Sequence, residues 1–157
     1  MLSFYRSQHD NQSWLAALVC TLDTSALLLT VAPVSDQAQA RLTFAMARHT
    51  IVDLALVLHR PPRFDGPDRL PAERLDELLA AVPAGGLAVR SDAKARDKLA
   101  ELRGLYEPYA AALADYLRLD LPPVWPGDGG PDNWQTSAGM RRAASLNRLA
   151  VADDHFE

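Results

Sequence analysis

Apolar residues recur at helical spacing in two long runs, Trp14–Val31 and Ala38–Leu58, joined only by Ala32-Pro33-Val34-Ser35-Asp36-Gln37. In the first run Leu15, Leu18, Val19, Leu22, Ala26 and Leu29 spread around most of the circumference. In the second, Leu42, Ala45, Met46, Val52, Ala55 and Leu56 do the same. A helix that is apolar nearly all round is buried on several sides. The pair is therefore predicted to form an antiparallel hairpin at the centre of the domain. Asp10 or Asn11 is expected to cap the first helix, which must end before Pro33. The second is expected to start after Ser35 or Asp36 and to stop at Arg60-Pro61-Pro62.

The segment 61–71 contains Pro-Pro, Asp-Gly-Pro and Leu-Pro and reads as a surface loop. A short helix follows over 72–81, its apolar stripe made by Leu75, Leu78, Leu79 and Val82, and Pro83-Ala84-Gly85-Gly86 stops it. A further helix opens at Ser91-Asp92 and runs toward Leu119, and Pro108 is expected to kink or divide it. Its inward face takes Leu99, Leu102, Tyr106, Tyr109, Leu113, Tyr116 and Leu117, while Lys94, Arg96, Lys98, Glu101, Arg103 and Asp115 stay wet. The Pro/Gly-rich stretch 122–132 breaks regular structure. Trp125 and Trp134 make it a strap rather than a loose linker, because large apolar rings tie a segment down. Residues 136–151 have mild helical character. With no internal repeat and no alternating strand, the fold class is all-α: a helical bundle in residues 1–121, then a Pro/Gly/Trp-rich strap or linker and tail in 122–157.

At 157 residues, 48% hydrophobic and 23% charged, the chain suits one globular domain with a tail. A formal charge of −4 gives no electrostatic reason to approach nucleic acid. The single cysteine, Cys20, excludes a disulfide framework and fits a reducing cytoplasm; among Leu18, Val19 and Leu22 it reads as core, with a raised pKa. The first ten residues lack the apolar centre of a signal peptide. Trp14–Val34 has the length of a membrane span. It also holds Asp23 and four hydroxyl residues, and a central Asp costs roughly 2.5–3.5 kcal/mol to insert, so a core helix is expected instead.

Asp23, Arg41, Arg48, His49 and Asp53 interrupt the two apolar runs and form the expected buried polar cluster, structural or ligand-binding. For a hairpin turning near Val34, Asp23 falls across from Phe44 with Arg41 and Arg48 one turn to either side. Arg48, the more central, is the expected partner. The same register sets Asp53 opposite Trp14 and His49 opposite Leu18. His49 and Asp53 share a helix face, a spacing that suits a metal or an acid/base pair. Only His9, Asp10 and Asp23 are available to complete a ligand set, and a structural contact is the simpler reading. Tyr106, Tyr109 and Tyr116 line a possible pocket, although their spacing among leucines favours packing. Gly85-Gly86 and the glycines at 127–130 lack the lysine and hydroxyl of a phosphate loop, and Arg141-Arg142-Ala143-Ala144-Ser145 is too common a string to specify phosphorylation. No catalytic residue, cofactor or metal is expected.

The run Ser3-Phe4-Tyr5-Arg6-Ser7-Gln8-His9-Asp10-Asn11-Gln12-Ser13-Trp14-Leu15-Ala16-Ala17-Leu18, with Asp23 and then Gln39-Ala40-Arg41-Leu42-Thr43-Phe44-Ala45-Met46-Ala47-Arg48-His49, resembles the C-terminal cytoplasmic part of bacterial two-transmembrane potassium-channel-family membrane proteins. The resemblance implies a domain that follows a pore-forming hairpin, lies at the cytoplasmic face of the inner membrane, and assembles as a homo-oligomer with the membrane-spanning part of the same polypeptide. The selectivity filter and the glycine-rich dinucleotide fingerprint of nucleotide-gated domains do not occur in this sequence. The function expected is non-enzymatic assembly or gating regulation. The alternatives are a stand-alone small-molecule sensor, with its site between the hairpin and the Tyr-rich helix, and a metal-dependent enzyme using Asp23, His49 and Asp53.

Overall fold

The computed structural model describes residues 13–127, and among them every regular element is helical: α1 (Trp14–Leu29), α2 (Ala38–Val57), α3 (Ala72–Ala81) with a 3-10 turn at Val82–Gly85, α4 (Ala93–Gly104) and α5 (Glu107–Leu117). The all-α class and the central hairpin are as the periodicity predicts. α1 and α2 make the most extensive helix contact, and α4 and α5 pack across them.

Local chemistry explains the element ends. Ser13, not Asp10 or Asn11, is the N-cap of α1: its hydroxyl accepts from the Ala16 amide at 3.0 Å. Asp36 accepts from the Ala38 amide at 2.9 Å ahead of α2. Asp92 caps α4. Pro108 divides the long helical run as expected, since it sits in the first turn of α5, where a missing N–H leaves no bond unmade. α2 and α5 end at left-handed residues that are not glycine, His59 (φ 53°) and Arg118 (φ 55°). The next amide in each case reaches back to Ala55 or Ala114.

Leu15, Val19, Leu22 and Ala26 of α1, Phe44, Ile51 and Ala55 of α2, Leu99 of α4, and Tyr106, Ala110 and Leu113 form one core. The 61–71 segment departs from a plain surface loop, because Arg69 and Leu70 are buried. Residues 122–127 behave as a strap: the Val124 amide donates to the Arg69 carbonyl at 3.1 Å, and Val124 and Trp125 pack on the core. The compact unit therefore continues to Gly127, beyond the expected boundary at Leu121. Trp134 and the helical tendency of 136–151 lie outside the described residues. No helix among the described residues is long and apolar enough to cross a membrane. α1 is the expected core helix because it buries Leu15, Val19, Leu22 and Ala26.

Candidate functional site

Asp23 lies on the buried side of α1, one turn from Val19 and Ala26, so its carboxylate enters the core wherever α1 packs. It is buried as expected, but its partners are Arg69 and Tyr106. Arg69 Nη2 donates to Asp23 Oδ2 at 2.5 Å and Nη1 to Oδ1 at 3.3 Å, a two-pronged pairing between side chains only 7% and 6% exposed. Tyr106 Oη donates to the same Oδ1 at 2.5 Å. Arg69 makes further bonds: Nε donates to the Pro122 carbonyl at 2.8 Å, and Nη1 also reaches Glu107 at 3.4 Å.

The network continues outward. Arg103 donates to Glu107 at 3.0 Å and to Asp68 at 2.7 Å, and reaches the Leu70 carbonyl at 3.4 Å. Arg103 is thus a packed ion-pair residue, not the wet one its helix face predicts. Burial drives the Tyr106 hydroxyl well above its ordinary pKa, and the Asp23 charge beside it adds to the effect, so the phenol stays a donor. Burial also raises the Glu107 carboxyl despite the opposing pull of Arg103 and Arg69. The Arg103 hydrogen bond holds Asp68 below the usual carboxylate range.

The arrangement fastens distant parts of the chain to one another. Both oxygens of Asp23 are engaged, and the guanidinium of Arg69 is engaged on all three nitrogens. It ties α1, the 61–71 segment, the start of α5 and the strap together.

The remaining expected site residues are dispersed. Arg41 is exposed and, among the described residues, its side chain reaches Gln37, at 3.4 Å. Arg48 is half-buried, and its Nε has no hydrogen-bond partner among the described residues. His49 and Asp53 are exposed on the outer side of α2, so neither belongs to a buried cluster. The reason is angular: Phe44, Ala47, Ile51 and Ala55 occupy the core face of α2, and positions 49 and 53 fall opposite. Among the described residues no group of three or more His, Cys, Asp or Glu side chains is placed to hold a metal. Cys20 is exposed rather than core; partial burial, and then the Asp23 charge, still raise its thiol pKa. Tyr109 is half-buried. Tyr116 is exposed under the Arg60 guanidinium, whose carbon lies 4.0 Å from the ring centroid. None of the three tyrosines lines the cavity beside Arg69 and Glu107.

Arg69, Glu107, Arg103 and Asp68 had only weak signals in the sequence: an Arg–Glu pair at helical spacing, and an Asp-x-Leu-Pro turn in which Asp68 accepts from the Leu70 amide at 2.9 Å. Beside this network lies a cavity of about 530 Å³, walled by Phe64, Pro108, Ala111, Leu119 and Leu121 and edged by Asp68, Glu107, Asp115 and Asp120. Comparison of the chain with protein-family models, with curated proteins and with solved structures finds no match.

Proposed function

We propose that this chain is a non-enzymatic assembly or gating-regulatory domain of a bacterial potassium-channel-like membrane protein, acting through association of its own copies along α2. One observation carries the assembly role. Leu42, Met46, Leu56 and Val57 are 58% to 73% exposed and cluster on the side of α2 opposite its buried face. Side chains of this size grouped on one outward face mark a partner site more often than idle surface. The buried charges support the same reading, because they are consumed in holding the fold. The membrane-protein setting rests on the resemblance carried by residues 3–49, and with it come cytoplasmic placement and a pore-forming hairpin encoded upstream of Ser3.

The test is the mass of the chain in solution. Sedimentation at tens of micromolar, on the order expected for a modest interface, should give a dimer or larger, and Leu56→Asp should return it to monomer. A wild-type monomer removes the assembly role.

The cavity favours a second reading, a small-molecule binding domain. Its volume falls within the roughly 300–1,000 Å³ of ligand sites, and four carboxylates line it against two arginines, Asp68, Glu107 and Asp115 being ion-paired and Asp120 standing at the edge. Such a site would take a small organic cation with an apolar body. Titration with alkylammonium compounds, followed by amide chemical shifts at Ala111 and Leu119, separates this reading from the first.

A further inference from the structure

Leu42, Met46, His49, Asp53 and Leu56 follow one another on α2 at alternating spacings of four and three residues, so they form one seam along the helix. All five are exposed, and the seam runs opposite the buried Phe44, Ala47, Ile51 and Ala55. Its order is apolar, apolar, basic, acidic, apolar, and this order selects an arrangement. In a parallel pair of copies each residue meets itself, which sets Asp53 against Asp53. In an antiparallel pair, the register that brings His49 opposite Asp53 of the second copy also brings Met46 opposite Leu56 and the small Ala45 opposite Val57. A two-fold axis on the seam side, at the level of position 51 along the helix, then repeats every contact. Sliding by one turn sets His49 on its own copy and Asp53 over Ala45.

We propose that two copies of this chain pair antiparallel along α2, with reciprocal His49–Asp53 contacts flanked by reciprocal Met46–Leu56 contacts. The imidazole donates an N–H to the facing carboxylate, so the polar centre of the seam satisfies itself while the apolar ends exclude water. Like-on-like alternatives leave that carboxylate without a donor. The pairing rests on self-association through α2, the reading proposed above, and adds its direction and register.

The experiment uses the full chain in a Cys20→Ser background, with single spin labels at Gln39→Cys or Thr50→Cys, both exposed and beside the seam. Antiparallel pairing separates the two Gln39 labels by roughly 36 Å along the helix, at about 1.5 Å per residue, and holds the Thr50 labels within roughly 20 Å. Short distances at both positions in a dimer overturn the register but leave self-association standing. A monomer in sedimentation overturns both. Asp53→His should weaken the dimer roughly tenfold, and the exchange His49→Asp with Asp53→His should restore it, since each histidine again faces an aspartate. Loss that accumulates in the exchanged variant overturns the pairing.

Discussion

Two sets of charges interrupt the apolar helices of this hairpin, and the fold treats them oppositely. Asp23 of α1 is buried and held by a forked arginine and a tyrosine hydroxyl, whereas His49 and Asp53 of α2 stand in solvent on an apolar seam. Both sets look alike as strings of residues. What separates them is the angle each makes with the core: position 23 lies over the contact with α5 and the strap, and positions 49 and 53 lie on the far side of Ile51. A charge inside an apolar helix therefore signals either a lock or an outward seam, and only the neighbours decide which.

The sharpest way to break this contrast is to remove the lock. Arg69→Ala leaves Asp23 buried without its counter-ion and should cost about 3–5 kcal/mol, read by urea unfolding. Asp23→Asn combined with Arg69→Met should recover part of the loss, because no unpaired charge remains. If Arg69→Ala costs no more than a surface change, the network is not what fastens the strap and α5 to α1. Tyr106→Phe removes one donor from Asp23 Oδ1 and should cost about 1–3 kcal/mol, with the oligomeric mass unchanged.

On the outer side of α2 the expected effects on folding are small. Arg41→Ala and Asp53→Asn should each move the unfolding free energy by less than about 0.5 kcal/mol, and Arg41 should show no coupling to Asp23 in a double-mutant cycle. Measurable coupling would mean that the hairpin brings Arg41 to Asp23 in solution.

The smallest effects are in pH dependence, and they carry opposite signs within the lock. Folded Glu107 holds its proton more tightly than the unfolded chain does, chiefly through burial. Its contribution is therefore full below its ordinary pKa of 4.5 and is lost as pH rises through the raised folded value. Asp68, held low chiefly by the Arg103 hydrogen bond, contributes above its ordinary 3.8, and that is lost as pH falls through the lowered folded value. Unfolding curves from pH 2 to 8 should show Glu107→Gln flattening the decline above 4.5 and Asp68→Asn flattening the acid loss; the reverse pattern would mean that the Arg103 and Arg69 charges outweigh burial at Glu107.

Sequence by itself determined the helices, their breaks and the hairpin, because those depend on neighbours three and four residues away: apolar spacing in α1 and α2, the cap at Asp92, and Pro108 dividing the long run. It also marked Asp23 as a buried charge and Trp125 as part of a strap. The partner of Asp23 was decided only by the tertiary structure. Asp23 and Arg69 lie 46 positions apart, Asp23 and Tyr106 83, and Arg69 sits in a proline-rich loop whose local pattern carries no sign that it turns inward. A hairpin register ranks the arginines of α2 first because they are near in sequence, yet α2 directs Phe44, Ile51 and Ala55 to the core and turns Arg41 and Asp53 outward. Apolar contacts set which face is inside, and a buried carboxylate then takes the donor that the packed chain delivers to it.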